Sequence, residues 1–232
     1  LKLDEEFHTE LTNYLKQISY EIKVGLYTRR SFYLIPKLLK AFSETHPEVK
    51  VDFFDSNSAT LDAMLLNEEL DYIIASHPYQ NPALNYIQVL EDELLLVCPH
   101  SHPASKYIRR DQGGSFPSLD SSHLKEETFI LTRPNQNMSN YVKQLFEELD
   151  FHPKNIVTIG NIEVCIQTAA EGMGLAFTLK SYIPQFHKNY PVTFCRLNAK
   201  IYPVELSLIY LKKREPEPFI NYLVDFTREF LQ

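Results

Sequence analysis

Residues 22–75 read IKVGLYTRRSFYLIPKLLKAFSETHPEVKVDFFDSNSATLDAMLLNEELDYIIA. Ile22, Val24 and Leu26 alternate with other residues, the period of a short strand. Leu34, Ile35, Leu38, Leu39 and Phe42 then recur at helical spacing. Pro36 has no amide hydrogen to give, so it fits the first turn of that helix and places the start near Ser31 to Tyr33. The helix runs out at Thr45-His46-Pro47. Val49, Val51 and Phe53 mark a second strand. Leu61, Met64 and Leu65 mark a second helix, with Ser58 as its N-cap. Leu70 to Ala75 is a short, nearly continuous apolar strand. Strand, helix, strand, helix, strand in this order is the pattern of a parallel sheet with crossover helices.

The same alternation returns further on. After LLLVC at 94–98 comes a polar stretch, PHSHPASKYIRRDQGGSFPSLDSSHLKEE, rich in Pro, Gly and Ser. It reads as a domain crossover with an exposed insertion. TFIL is then a strand, and Tyr141, Leu145, Phe146 and Leu149 mark a helix. Ile156–Ile159 is a strand and Ile162 to Glu171 a helix, broken by Gly172 and Gly174 before the strand Leu175–Leu179. The chain closes with strands VTFCRL and VELSLIYL and a helix bearing Phe219, Leu223, Phe226 and Phe230 on one face. The expected fold class is therefore α/β, with two subdomains and a cleft between them. Before the first strand, Phe7, Leu11, Tyr14 and Ile18 form a short a/d stripe. It suits either a helix lying on its own domain or half of a dimer seam.

Composition narrows the function. The chain has 232 residues, 44% hydrophobic and 23% charged, which is ordinary for a globular protein and excludes a disordered or rod-like chain. No apolar run is long enough for a membrane span. Against 23 Lys+Arg stand 30 Asp+Glu, a net charge of −7, so the chain makes a poor duplex binder by itself. Cys98, Cys165 and Cys195 are odd in number and widely spaced in apolar runs. They read as buried packing residues in a reducing compartment, with Cys165 nearest the expected cleft. The opening LKLDEEF is neither a signal peptide nor an initiator-Met start, so the chain reads as a fragment of something longer.

In an open α/β sheet, ligands bind beyond the carboxyl ends of the strands, where helix starts favour anions. Four such junctions occur: Thr28-Arg29-Arg30-Ser31, Ser56-Asn57-Ser58, Thr132 to Asn137 (including Asn135 and Gln136), and Gly160-Asn161. Any one of them can be explained by helix capping alone. Together they would line a pocket for a small anion, and either arginine could clamp a carboxylate. His100 and His102 form a His-x-His pair without supporting ligands, so no metal site is expected. Gly172-Met173-Gly174 sits at a helix end and is not a dinucleotide fingerprint. No nucleophile, base or paired-carboxylate motif is recognisable, so neither catalysis nor a cofactor is expected.

Four segments carry a family resemblance. They are LIPKLLKAFSETHPEVKVDF, SATLDAMLLNEELDYIIA, VLEDELLLVCPHSHP and TAAEGMGLAF. In this order the chain resembles the effector-binding half of a LysR-type transcriptional regulator, from about residue 20 to 210. The resemblance implies two Rossmann-like subdomains in a type 2 periplasmic-binding-protein-like fold, 20–98 plus 201–232 and 99–200. It makes residues 1–19 the end of a linker helix. It implies a small-molecule effector in the cleft and a cytoplasmic homodimer or homotetramer. DNA would be met only through an N-terminal winged helix-turn-helix that this chain does not show, and no membrane would be involved. It carries the effector contacts onto the loop Thr28 to Ser31, onto Ser56, Asn57 and Ser58, onto Ser76, onto Thr132, Asn135 and Gln136, and onto Asn161. The insertion around 104–127 departs from the family pattern. The cysteine pair of the family's peroxide sensors is not recognisable, so redox sensing is not expected. The alternatives are an extracytoplasmic solute-binding protein of similar bilobal fold, against which the a/d stripe speaks, and an enzyme on a related two-lobed scaffold.

Overall fold

Strand β1 (Tyr20–Tyr27) lies between β2 (Val49–Ser56) and β3 (Tyr72–Ala75), parallel to both. The structure is a computed structural model and describes residues 20–76, 81–110, 115–134, 136–184 and 190–231. The stripe at 4–19 and Asn135 lie outside the described residues. The chain divides into two compact units. Unit 1 comprises the described residues up to Ala75, then Asn81–Val89 and Ser207–Phe230; unit 2 is built mainly of Leu90–Leu206, with Ser76.

In unit 1 the sheet order is β2-β1-β3-β10, with β10 (Pro203–Leu211) antiparallel to β3. Helix α1 (Thr28–Thr45) joins β1 to β2, and α2 (Ser58–Leu66) joins β2 to β3. Leu61 and Leu65 of α2 pack on Leu70, Ile73, Leu84 and Ile209, all buried. Gly25 permits this contact. A Cβ there would meet side-chain atoms of Leu70, Ile73 and Leu61 at 2.8–2.9 Å. The C-terminal helix α5 (Ile220–Leu231) buries Ile220, Leu223, Val224 and Thr227. Phe42 of α1 meets Tyr222 edge-on at 5.4 Å.

Two local expectations are corrected here. Helix α1 begins at Thr28, so Pro36 lies well inside it and the expected loop Thr28 to Ser31 is its first turn. The proline is tolerated because it lies on the exposed side with Phe32, while Leu34, Leu38, Ala41 and Phe42 hold the opposite side in the core. Ser31 Oγ donates to the Thr28 carbonyl at 2.7 Å within that turn. The cap of α2 is Asn57, not Ser58: its Oδ1 accepts from the Thr60 amide at 3.1 Å.

Unit 2 holds a second strand–helix–strand–helix–strand run: β6 (Thr128–Thr132), α3 (Asn137–Glu148), β7 (Asn155–Ile159), α4 (Ile162–Thr168) and β8 (Ala176–Leu179). Helix α4 ends earlier than the expected Glu171. A single π-type turn, Ala169–Met173, follows it, with Gly172 at φ 87°. The expected strand at 94–98 is the end of a much longer β4 (Leu84–Pro99). Its second half pairs antiparallel with β8 and with β9 (Val192–Leu197). β9 in turn pairs in parallel with β5 (Ser118–Leu119). The polar stretch after β4 is less exposed than expected. It folds into β5 and two 3₁₀ turns, Pro103–Tyr107 and Ser121–His123, and buries His102, Ala104, Leu119, Ser121 and Leu124. Val97, Ile130, Cys165, Ile166 and Ala176 form one core cluster of this unit.

All three cysteines are buried and unpaired in disulfides, as expected of packing residues. Burial pushes the Cys98 thiol up to about 12, helped by the nearby Glu127 carboxylate, and raises the Cys195 thiol as well.

Candidate functional site

Each unit gathers its candidate residues at the carboxyl ends of parallel strands. In unit 1, Tyr27 and Ser56 are register partners, so the starts of α1 and α2 emerge side by side. Thr28 is exposed and Arg29 half-buried. Arg30 is only 1% exposed, and its Nη1 donates to Tyr33 Oη at 3.3 Å. The two arginines are thus separated by environment. Arg30 is tied into the unit, and Arg29 retains partial solvent access. Ser31 is buried, Ser56 and Ser58 are half-buried, and Asn57 is exposed with its side chain engaged as a cap.

In unit 2, Thr132 and Ile159 are register partners, which sets the end of β6 beside Gly160 and Asn161. Gln136 precedes α3 without capping it. Its amide donates to the Gly160 carbonyl and joins the two strand ends. Asn161 caps α4, its Oδ1 accepting from Glu163 N at 2.8 Å and Val164 N at 3.4 Å. Asn137 Nδ2 donates to the carbonyl of buried Ser76 at 2.8 Å. Thr132 is 3% exposed, and its buried hydroxyl oxygen has no hydrogen-bond partner among the described residues. A buried hydroxyl left so costs free energy, which a ligand that hydrogen-bonds it would recover. Thr132, Gln136 and Asn161 are therefore brought together, as are Thr28 to Ser31 with Ser56 to Ser58.

His102 shows what residue spacing conceals. The Ala104 amide donates to its Nδ1 at 3.2 Å, so the proton sits on Nε2, which lies 3.5 Å from the Glu127 carboxylate. Burial lowers its pKa, with Glu127 pulling the other way. It braces the 3₁₀ turn after β4. Among the described residues no group of three or more His, Cys, Asp or Glu could hold a metal ion. Glu127 carried no signal in the sequence, because its partner is 25 positions away by numbering and is met only in the folded unit.

Comparison with known proteins decides the family. The model of the LysR substrate binding domain matches residues 16–232. The chain belongs to that family. It is 22% identical over 216 residues to the Hca operon transcriptional activator HcaR of Escherichia coli (strain K12), covering 91% of this chain and 68% of that protein. To the HTH-type transcriptional regulator CfxR of Cupriavidus necator it is 27% identical over 155 residues, and the match spans 67% of this chain and only 46% of CfxR. Among solved structures, the effector-binding domain of QuiR in complex with shikimate superposes with a TM-score of 0.71 at 19% identity, covering 90% of this chain and 96% of that one. The regulatory domain of Synechocystis PCC6803 CcmR in complex with 2-PG gives 0.72 at 19% identity, covering 91% and 97%. The BenM effector-binding domain with benzoate gives 0.73 at 17% identity, covering 91% and 92%. These likenesses establish the type 2 periplasmic-binding-protein-like fold. Among the described residues no helix is long and apolar enough to cross a membrane.

Proposed function

We propose that this chain is the effector-sensing part of a transcriptional regulator and that its effector is a small anionic metabolite. The two units stand in this reading for the expected lobes, 20–98 plus 201–232 and 99–200, except that residues 90–98 and 201–206 fall in unit 2. The candidate effector contacts are Thr28, Arg29 and Ser58 in one unit and Thr132, Gln136 and Asn161 in the other. Arg29, half-buried at the start of α1, is the carboxylate clamp. Ligand occupancy shifts the equilibrium between arrangements of the protein by its differential affinity for them, and a DNA-binding domain reads the shift. The regulator works in the cytoplasm as a homodimer or homotetramer, and the chain catalyses nothing.

The single observation that carries this reading is the Thr132 hydroxyl, buried at a strand end with no hydrogen-bond partner among the described residues. The three structural neighbours named above hold shikimate, 2-PG and benzoate, and each of these carries an acidic group. The experiment is a thermal-stability screen against small carboxylates and phosphorylated acids. A true effector at ~100 times its dissociation constant adds about 2.7 kcal/mol. Thr132→Val, which keeps the shape and removes the hydroxyl, should abolish most of that gain. A stabilising acid that binds Thr132→Val and Arg29→Gln as tightly as the parent would refute the site.

A further inference from the structure

Unit 2 contains a second polar hollow, at the end of its sheet remote from Thr132. Strand directions place it. β8 runs antiparallel to β4, with Leu94 opposite Leu179 and Val97 opposite Ala176. Phe129 of β6 bridges Leu175 in parallel, so the start of β6 lies with the start of β8. Pro99, at the end of β4, pairs with Val192 at the start of β9. His100 and Thr193 therefore sit at the end where β6 begins, whereas Thr132 is where β6 finishes.

The hollow measures about 630 Å³, within the ~300–1,000 Å³ of small-molecule sites. His100, Ser105, Arg110, Ser115 and Thr193 line it, and Ile108 gives it an apolar wall. No carboxylate lines it among the described residues. Arg196 approaches the Ser115 hydroxyl at 3.5 Å, but its charge is matched by Glu93, which it grips with two hydrogen bonds. Ser105 donates its proton to the His100 carbonyl at 3.1 Å, which fixes that side of the wall. What remains is a permanent cation, an imidazole and two further hydroxyls around one space.

We propose that this hollow is a second ligand site, distinct from the strand-end site, for a small oxyanion of phosphate or carboxylate type. Arg110 supplies the charge and the two-pronged donor, and the Ser115 and Thr193 hydroxyls complete the shell. Of its lining, Ser105, Ile108, Arg110, Ser115 and Pro117 come from the polar stretch that follows β4.

The test is a titration of the chain with inorganic phosphate at constant ionic strength, followed by amide chemical shifts, with malonate as a second arm. Parent protein should show saturable shifts at His100, Ser105 and Thr193 with at least one of the two anions. Arg110→Gln should weaken binding at least about tenfold, because the charge and both prongs of its hydrogen bonding are lost together. Arg110→Lys should fall between. Lys40→Gln, which removes an exposed charge from unit 1, should bind like the parent. Arg110 is exposed, so the variants should keep the parent's circular dichroism. Absence of saturable shifts with both anions, shifts confined to Thr132 and Asn161, or equal affinity in Arg110→Gln would overturn the proposal.

Discussion

At the end of β2, Asn57 turns its side chain back on Thr60 and caps its own helix. At the end of β6, Thr132 keeps a buried hydroxyl that no group among the described residues meets. The two units share a strand–helix–strand plan, and in both of them other strand-end side chains bond within their own unit. Ser31 bonds the Thr28 carbonyl and Arg30 bonds Tyr33. Fold stability is served by the first arrangement. Ligand affinity is served by the second, because an unmet buried donor strengthens whatever later satisfies it.

The charged pairs repeat the contrast with larger numbers. Glu93 and Arg196 of unit 2 are 10% and 13% exposed and joined at 2.5 Å. Removing Arg196 as Arg196→Met strands a buried carboxylate and should cost roughly 3–5 kcal/mol in denaturant unfolding. Arg214 of unit 1 pairs with Asp71 at 2.8 Å and with Glu217 but is 30% exposed. Arg214→Met should cost about 1 kcal/mol. Equal losses would erase the distinction between the units.

Glycines sharpen the comparison next. A Cβ on Gly174, at φ 155°, would collide with the Thr128 backbone carbonyl, which cannot swing aside. Gly174→Ala should lose about 3 kcal/mol. Gly25 meets only side-chain ends, so Gly25→Ala should lose about 1–2 kcal/mol as Leu61, Leu70 and Ile73 repack. A larger loss at Gly25 than at Gly174 would show unit 1 to be the more rigid.

Substitution at the strand ends should have opposite signs. Asn57→Ala removes a cap and should destabilise by about 1 kcal/mol. Thr132→Val removes an unsatisfied buried hydroxyl and should stabilise the ligand-free chain by up to about 1 kcal/mol. If Thr132→Val destabilises instead, the hydroxyl is already serving the fold.

A smaller effect is expected from pH. His102 has a pKa lowered by burial, so the unfolded chain takes up its proton more readily than the folded one. Stability is therefore lost as pH falls below the ordinary imidazole value of 6.5 toward the lowered folded value. His102→Gln should flatten that part of the stability–pH curve, measured by thermal unfolding between pH 7 and pH 5.

Both strand–helix alternations were legible because the hydrophobic period changes cleanly between strands such as Ile22–Leu26 and helices such as Leu61–Leu65. The start of α1 was not legible. The rule that proline belongs in a first turn is a rule about backbone donors, and it yields where the proline side faces water and Leu34, Leu38 and Phe42 hold the other side. The cap of α2 was missed by one residue because Asn57 and Ser58 are both good caps, and only the observed φ and ψ distinguish them. The burial of His102, Leu119 and Leu124 was hidden in a polar stretch, since short 3₁₀ turns leave no period to read. The strand-end candidates were legible as residue types; their hydrogen-bond state was not.

The central claim is that a small acid meets the buried Thr132 hydroxyl and the helix starts beside it. The most direct measurement is amide hydrogen exchange with and without the best stabilising acid at saturation. The account predicts new protection at residues 132–137 and 160–164, and its loss in Thr132→Val. Absence of new protection there, or protection unchanged by that substitution, would contradict it.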